Sequence, residues 1–408
     1  MSHVTSVRDL RQDSHRVALL LLGAVFLFVL PIPGTISLRL ICLFVGAVLA
    51  VLLVRREGMP DLPLKSVFLA WAVVAGLSLL YAVDPAYSLS EIKSEIVYAF
   101  LAFFLFFTQT RNAQDWNIWI GTITFGVIVL SVAAVWLWAT TGNAITPKFI
   151  YNGVGEYTTY LVTTLPFVVL LIFHLPLRTR WRWIVRGAPV LVLLPVYLTT
   201  NRTIWIALIV IAITLTLLLA GRSRRPARRF AGLVVLALFL AASTSMFYST
   251  LEHRVAVSQD ASEVLDLTVQ NDPRRLLWTF SINEILAHPL SGAGYGKVSV
   301  EKVFFRWQQQ SVNLSHAHNT FLNAGIQMGF PGIIVMAFIF ASILRQYWRL
   351  YQSNHRVAQW IAACGIAMVF GVLTRNMTDD FFRRDLALLF WSLVGASLGY
   401  GRQFTAKK

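Results

Sequence analysis

Charged side chains are scarce in this sequence. Only 13% of the 408 residues are Asp, Glu, Lys or Arg, whereas about 25% is usual for a soluble domain. Hydrophobic residues make up 57% of the chain. Runs such as "LVLLPVYLTTNRTIWIALIVIAITLTLLLAG" are long enough to cross a bilayer as helices, since about 20 residues span its hydrocarbon core. The composition therefore excludes an ordinary soluble fold and indicates a polytopic membrane protein.

Cysteine is scarce too, and acidic residues are few. Cys42 and Cys364 both lie inside apolar runs, which argues against a disulfide framework or a zinc-finger type of metal site. Nineteen Asp and Glu residues face 35 Lys and Arg residues, giving a formal net charge of +16. Such a surplus can indicate a nucleic-acid partner. Its meaning here depends on where the basic residues lie relative to the membrane.

Apolar runs bounded by charges, proline and glycine predict twelve membrane-spanning helices. The predicted spans lie near residues 16–33, 36–54, 64–83, 91–109, 116–140, 157–176, 184–200, 203–221, 230–249, 317–344, 357–375 and 385–401. With a cytoplasmic N-terminus, most Lys and Arg residues fall in the inside segments, as the positive-inside rule requires, and both termini are cytoplasmic. The surplus charge is thus an orientation signal that also suits anionic membrane lipids, and no nucleic-acid partner is expected.

Residues 1–408 are expected to form a single integral membrane domain with one large outer loop. That loop, residues 250–315, lies between the ninth and tenth spans and is too long to be a bare linker. Asp272 and Pro273 suit the start of a helix. Apolar residues follow at helical spacing: Trp278, Ile282, Ile285 and Leu286. We therefore expect an amphipathic helix against the bundle, ended by a flexible turn at "PLSGAGYG", residues 289–296.

Arginines at the outer ends of the spans are candidates for binding an anion. Arg202 lies between the seventh and eighth spans, and Arg274 and Arg275 lie at the start of the loop helix. The guanidinium fork binds two oxygens at once, and a helix N-terminus favours anions, so these residues suit a diphosphate. The alternative is that Arg202 snorkels to the interface and that one of the loop arginines only solvates its helix.

Two histidines and an asparagine, His316, His318 and Asn319, precede the tenth span. His318 could act as a general base, because histidine ordinarily titrates near neutrality. It could instead be an interfacial histidine that caps the helix or bonds to a neighbour. The H-x-H pair could also bind a metal, but only in an extended segment, since residues two apart on a helix point in nearly opposite directions.

Asp379 and Asp380 lie between the last two spans and invite a metal-binding interpretation. Arg375, Arg383 and Arg384 surround them in the sequence, however, and suffice as partners. Salt bridges to these arginines are the favoured prediction for both carboxylates.

Three motifs together resemble the O-antigen ligase and O-antigen polymerase superfamily of bacterial envelope enzymes. They are "NRTIW" (201–205), "RRLLW…HPLSGAGYG" (274–296) and "HAHNTFLNAGIQMGFPG" (316–332). The resemblance implies an all-α membrane glycosyltransferase of the GT-C type, with a periplasmic active site in the bacterial inner membrane. The donor would be a glycan linked to undecaprenyl diphosphate. In the ligase branch the acceptor is a sugar hydroxyl of lipid A core.

The resemblance also implies roles for individual residues. The family's histidine falls on His318, its first arginine on Arg202, and its loop arginine on Arg274, with Arg275 as the next candidate. Asn201 stands where the family commonly has serine. The arginines would bind the diphosphate and stabilise charge on the departing oxygen. His318 would orient or deprotonate the acceptor for an inverting displacement, with His316 and Asn319 as neighbouring substrate-binding residues.

Neither a metal nor another cofactor is expected. Many GT-C enzymes bind a divalent metal with carboxylates of their first outer loop, but here that loop, "PIPGTIS", has none. Two alternatives change the acceptor and keep the superfamily: an O-antigen polymerase, and a protein O-oligosaccharyltransferase. A third, of another class, is a flippase or transporter for lipid-linked glycans, which would bury charges at mid-bilayer depth.

Overall fold

The computed structural model describes residues 7–141, 153–174, 192–199, 201–221, 237, 239–245, 273–307, 316–380 and 382–404. All regular structure in these residues is helical, which agrees with the all-α prediction. The main α-helices are α1 (Val7–Val29), α2 (Ile36–Glu57), α3 (Lys65–Leu77), α4 (Pro85–Ile92), α5 (Tyr98–Gln109), α6 (Ala113–Thr141), α7 (Val154–His174), α8 (Arg202–Gly221), α9 (Pro273–Ala287), α10 (Lys297–Trp307), α11 (Thr320–Tyr351), α12 (Arg356–Asn376) and α13 (Arg384–Gly401). A π-helical segment, Lys93–Val97, joins α4 to α5.

Five helices in the described part of the chain are long and apolar enough to cross a membrane. They are α2, α6, α11, α12 and the Val154–Leu171 part of α7. Shorter apolar helices cover the predicted first, third and eighth spans: Ser14–Val29, Lys65–Leu80 and Thr203–Leu219. The protein is therefore a helical membrane protein. The count of twelve spans stays a prediction, because the spans near 184–200 and 230–249 fall largely outside the described residues.

Aromatic rings and small residues hold the centre of the bundle together. Trp391 of α13 is fully buried, and its ring centroid lies 4.4 Å from that of Phe68. Gly395 and Gly399 lie on the same helix, where any side chain would collide with the backbone of Phe103 and Phe107 in α5. Because lipid tails are as apolar as the side chains, close backbone approach of this kind is a main source of helix association in membranes.

Ion pairs tie together segments that the topology assigns to the cytoplasmic side. Arg16 contacts the buried carboxylate of Asp115 at 3.0 Å, and Arg111 pairs with Glu57. These residues come from α1, α2, α6 and the connection before α6. Their association agrees with the prediction that these segments share one side of the membrane.

Helix α11 is broken at Gly329, whose φ of +65° and ψ of −158° are not helical. The segment from Pro289 to Gly296 fills the break. Ala293 and Gly294 donate backbone hydrogen bonds of 2.8 and 3.0 Å to the carbonyls of Ile326 and Gln327, and Phe330 donates one of 2.8 Å to Pro289. A broken helix is tolerated in a membrane protein when other groups satisfy its freed backbone in this way.

The same glycine-rich segment corrects one prediction. It does follow the end of α9, as expected, but it is not a flexible turn. Beyond its contacts to α11, Tyr295 N donates to Ser78 Oγ at 3.1 Å, and Ala293 O accepts a 2.9 Å bond from Val83 N. The glycines have positive φ angles and no room for a side chain, so they permit close packing, and they do not loosen the chain.

Helix α9 begins at Pro273 and lies against α11, both as predicted; Asp272 lies outside the described residues. Two of the four predicted apolar residues, Trp278 and Ile285, pack against neighbouring elements. Leu277, Ser281 and Ile285 are buried, while Ile282 and Leu286 are exposed. The reason lies in the partner helix: Gly325 of α11 has no side chain, which admits Ile285. Periodicity therefore identified the helix and two of its packed residues, but not the exposure of Ile282 and Leu286.

We predict that Gly294→Ala lowers thermal stability more than Gly34→Ala does. Both glycines have positive φ angles, but Gly34 has open space around its Cα, whereas a Cβ on Gly294 would lie 2.7 Å from the Cα of Ala82. The control should therefore lose only the left-handed strain of about 1–2 kcal/mol. Tryptophan fluorescence of the detergent-purified protein during heating measures both, and equal shifts would contradict the packed insertion.

Candidate active site

The histidine segment is not helical, and α11 begins just after it. Asn319 caps this helix: its Oδ1 accepts hydrogen bonds from the backbone N–H groups of Phe321 at 2.9 Å and Leu322 at 3.2 Å. Asparagine is a preferred residue at this position. The cap is therefore Asn319, and the alternative of His318 as the capping residue is wrong.

Two other elements hold the histidine segment from either side of Ala317. The Ala317 N–H donates to Asn323 Oδ1 of α11 at 2.9 Å, and its carbonyl accepts a 2.9 Å bond from Trp278 Nε1 of α9. His318 itself has a φ of +50°, a conformation that is uncommon for residues other than glycine. Surrounding contacts must hold such a backbone in place, and the two bonds at Ala317 do so.

Both histidines converge on one carboxylate oxygen. His316 Nε2 lies 3.2 Å and His318 Nδ1 lies 3.1 Å from Asp379 Oδ1, and the two ring centroids are 4.0 Å apart. Asp379 belongs to the connection between α12 and α13. The non-helical backbone thus brings the H-x-H pair to one partner, which a helix could not do.

The protonation of Asp379 fixes which histidine nitrogens carry hydrogen. Burial raises the pKa of this carboxyl, but the bonds from His316 and His318, the charge of His318 and the N–H of Asp380 together hold its pKa well below the ordinary value. An ionised carboxylate only accepts hydrogen bonds. Both histidines therefore donate to it, His318 through Nδ1–H and His316 through Nε2–H.

This arrangement leaves Nε2 of His318 available. It has no hydrogen-bond partner within the described residues, and the His318 side chain is 30% exposed against 17% for His316. When the ring is neutral, Nε2 carries the lone pair. His318 is therefore the better placed of the two histidines to accept a proton from a ligand.

Asp380 has a different environment from its neighbour. Its two carboxylate oxygens accept bonds from Thr320 Oγ1 at 2.9 Å and Asn323 Nδ2 at 2.7 Å. In place of the predicted salt bridges to arginines, Asp379 contacts the histidines, and Asp380 contacts threonine and asparagine. These partners are distant in sequence, whereas the arginines that suggested salt bridges are merely adjacent.

Arg375 is a buried cation that joins three helices near the histidines. It lies in the last turn of α12 with 3% of its surface exposed. Its guanidinium donates to Thr158 Oγ1 at 3.2 Å and also to Thr203 Oγ1. Asp379 and Arg274 both act electrostatically on it. Arg375 therefore connects the starts of α7 and α8 to the histidine and loop-arginine region.

The three predicted arginines differ in their surroundings. Arg274 is half-buried and close enough to Arg375 for their charges to interact, whereas Arg275 is exposed. Arg202 is the first residue of α8, next to Thr203; its side chain lies outside the described part of the structure. Asn201 caps this helix, accepting a 3.2 Å bond from Thr203 N.

Sequence reasoning missed two residues of this region, Asp379 as the histidine partner and Arg375. One signal was present. The topology had already placed residues 375–385 on the same outer face as the histidines, and a carboxylate there is a natural partner for an imidazole. The arginines beside it in the sequence offered a simpler explanation.

The histidine and aspartate atoms also form a candidate metal site. Ligand atoms of His316, His318 and Asp379 all lie within 4.8 Å of one another, and nitrogen and oxygen ligands of this kind suit zinc and related divalent ions. The measured separations equally suit direct hydrogen bonds. Metal independence stays a prediction.

The described helices form a helical membrane protein in which two histidines, an aspartate and a buried arginine gather near the helix ends. Residues 187–337 match the family model described as O-antigen ligase. This match supports a member of the O-antigen ligase and polymerase superfamily, as the motifs implied. The matched range includes Arg202, Arg274 and His318 and ends before Asp379. No curated protein matches the chain.

Proposed function

We propose that the protein is an O-antigen ligase, which transfers a glycan from undecaprenyl diphosphate to a sugar hydroxyl of lipid A core. The observation that carries the proposal is His318, whose Nδ1 bonds to ionised Asp379 while Nε2 stays available. Arginines lie nearby, and the family match supports the superfamily. The site would face the periplasm, in an inner-membrane protein whose termini are both cytoplasmic.

His318 acts as the general base in this proposal. Nε2 removes the proton of the acceptor hydroxyl, and the resulting oxygen attacks the anomeric carbon of the donor. The bond from that carbon to the diphosphate oxygen breaks on the opposite face, so the configuration inverts and undecaprenyl diphosphate leaves. Asp379 is a positioning residue that fixes the tautomer and stabilises the imidazolium, as the aspartate does in hydrolase triads.

The arginines meet the charge of the departing diphosphate. Arg202 and Arg274 bind its oxygens and stabilise the charge that develops on the leaving oxygen. Arg375 adds further positive charge near these arginines. It also donates a hydrogen bond to Thr203, the residue after Arg202. With guanidiniums in this role the reaction requires no metal or other cofactor, and no phosphate bond is broken.

His316 and Asn319 support the site and do not carry the chemistry. His316 shares the carboxylate of Asp379 with His318. Asn319 caps α11 and also donates to the carbonyl of Met377 at 3.3 Å, which ties the histidine segment to the connection that contains Asp379. We assign both a positioning role next to the bound substrates.

Alternative acceptors are separated by one assay. A polymerase would elongate undecaprenyl-linked repeats without lipid A core, and a protein oligosaccharyltransferase would modify serine or threonine of a protein.

A transporter would place charges along a pathway through the bilayer. Arg39, the buried arginine nearest to this description, forms an ion pair with Asp385, and Arg375 is bonded to threonines, so both have structural partners.

We predict that His318→Ala lowers transfer to lipid A core by about 100-fold or more, the range for loss of a general base. His316→Ala is the matched control and should retain more activity, because His318 would still bond to Asp379. Purified protein in liposomes, with donor and lipid A core supplied, measures both. Full activity of a correctly folded His318→Ala variant would refute the base.

We predict that Arg274→Ala raises the KM for the donor by about tenfold or more, since hydrogen bonds to charged groups contribute about 1.5–3 kcal/mol. Arg275→Ala removes the same charge from an exposed neighbouring position and should leave the donor KM nearly unchanged. Steady-state kinetics at saturating acceptor make the comparison. Equal effects of the two variants would exclude a specific diphosphate contact by Arg274.

A further inference from the structure

A pocket adjoins the histidine site and is not used by the mechanism above. The pocket opens to solvent, and its empty volume of about 440 Å³ includes this open mouth. Helices α3, α10 and α11 contribute to its wall, together with the π-helical segment, the glycine-rich segment and the α12–α13 connection. Thr320 and Asp380 belong to this wall, and they lie two residues after His318 and one after Asp379.

The lining combines an apolar side with a polar side. The apolar residues are Trp71, Ala324, Met328, Met336 and Phe382, and the charged ones are Glu95, Lys297, Asp380 and Arg383. The polar side therefore offers both hydrogen-bond acceptors and donors. An uncharged ring with apolar C–H faces and hydroxyl edges, as in a sugar, complements both sides.

The polar groups retain hydrogen-bonding capacity. Glu95 accepts a 2.9 Å bond from Tyr295, and each oxygen of Asp380 accepts one bond from α11, whereas a carboxylate offers about four acceptor positions. Lys297 bonds to Glu301 at 2.9 Å, and an ammonium group has three donors. Hydroxyl groups both donate and accept, so a sugar can use these positions of either kind.

Trp71 provides a second, independent observation. The residue is 2% exposed, and its indole N–H is buried without a hydrogen-bond partner in the described part of the protein. Buried polar groups in folded proteins nearly always have a partner, so one that lacks it needs an explanation. An oxygen of a sugar bound against Trp71 would supply the missing acceptor.

We propose that this pocket binds the acceptor sugar whose hydroxyl His318 deprotonates. The inference rests on the proposed glycosyl transfer and names the place of one substrate. Arg274, Arg275 and Arg375 do not belong to the pocket lining, so the acceptor and the diphosphate have separate binding regions. A single displacement requires the two regions to meet at the His318–Asp379 pair.

Glu95→Gln and Lys297→Met test the pocket, with Lys93→Ala as the matched control. Lys93 is exposed and lies in the same π-helical segment as Glu95. In the liposome assay both pocket variants should raise the KM for lipid A core about tenfold, with the donor KM changed less than about twofold, an effect the size of one charged hydrogen bond. A raised donor KM with an unchanged acceptor KM would overturn the proposal.

Tyr295→Phe distinguishes sugar binding from a merely structural role of Glu95. It removes the hydroxyl that bonds to Glu95 but retains the ring. If this variant alone reproduced the full rise in acceptor KM, Glu95 would act by holding the glycine-rich segment, and the proposal would fail. A smaller effect than that of Glu95→Gln is expected.

Binding of purified lipid A core without donor separates this inference from the ligase proposal. Wild-type protein should bind it by calorimetry in detergent, and Glu95→Gln should bind it about tenfold more weakly. If the wild type bound lipid A core but transferred nothing to it, the ligase proposal would fail and the pocket would stand. Equal binding by wild type and Glu95→Gln would refute the pocket.

Discussion

The site depends on one carboxylate oxygen, Asp379 Oδ1, which holds both His316 and His318. Because the two histidines donate to an ionised group, their tautomers and ring orientations are fixed together. The contacts come from elements far apart in the chain: the segment before α11 carries the rings, and the α12–α13 connection carries the acid. Asn319 and Ala317 then hold the histidine segment to α11, α9 and the α12–α13 connection, so the ring of His318 is positioned by three elements at once.

A membrane environment explains why so much backbone bonding surrounds this site. Helix α11 is broken at Gly329, and its freed carbonyls need donors that lipid cannot supply. The segment from Pro289 to Gly296 provides them, and it can approach only because its glycines lack side chains. The same insertion brings Tyr295 to Glu95 and so forms one wall of the pocket. The same segment thus satisfies the backbone at the break in α11 and forms part of the proposed acceptor site.

Local sequence patterns predicted the features that local forces determine. Hydrophobic runs identified the helices, and Pro273 identified the start of α9. Patterns failed where a distant partner decides. Ile282 and Leu286 of α9 are exposed although they share the predicted apolar stripe. The histidines, some sixty residues away, replaced the nearby arginines as partners of Asp379. The local sequence of the glycine-rich segment predicts a flexible turn, because the residues that it contacts lie far along the chain.

The proposed ligase uses arginines and a histidine–aspartate pair, and no metal, to transfer a glycan to lipid A core. Reconstitution of the purified protein with undecaprenyl diphosphate-linked glycan, lipid A core and EDTA tests it most directly. The account predicts that glycan-bearing lipid A core forms at the same rate with and without EDTA. Loss of the product in EDTA, with recovery on adding a divalent ion, would contradict it and would assign His316, His318 and Asp379 to a metal site instead.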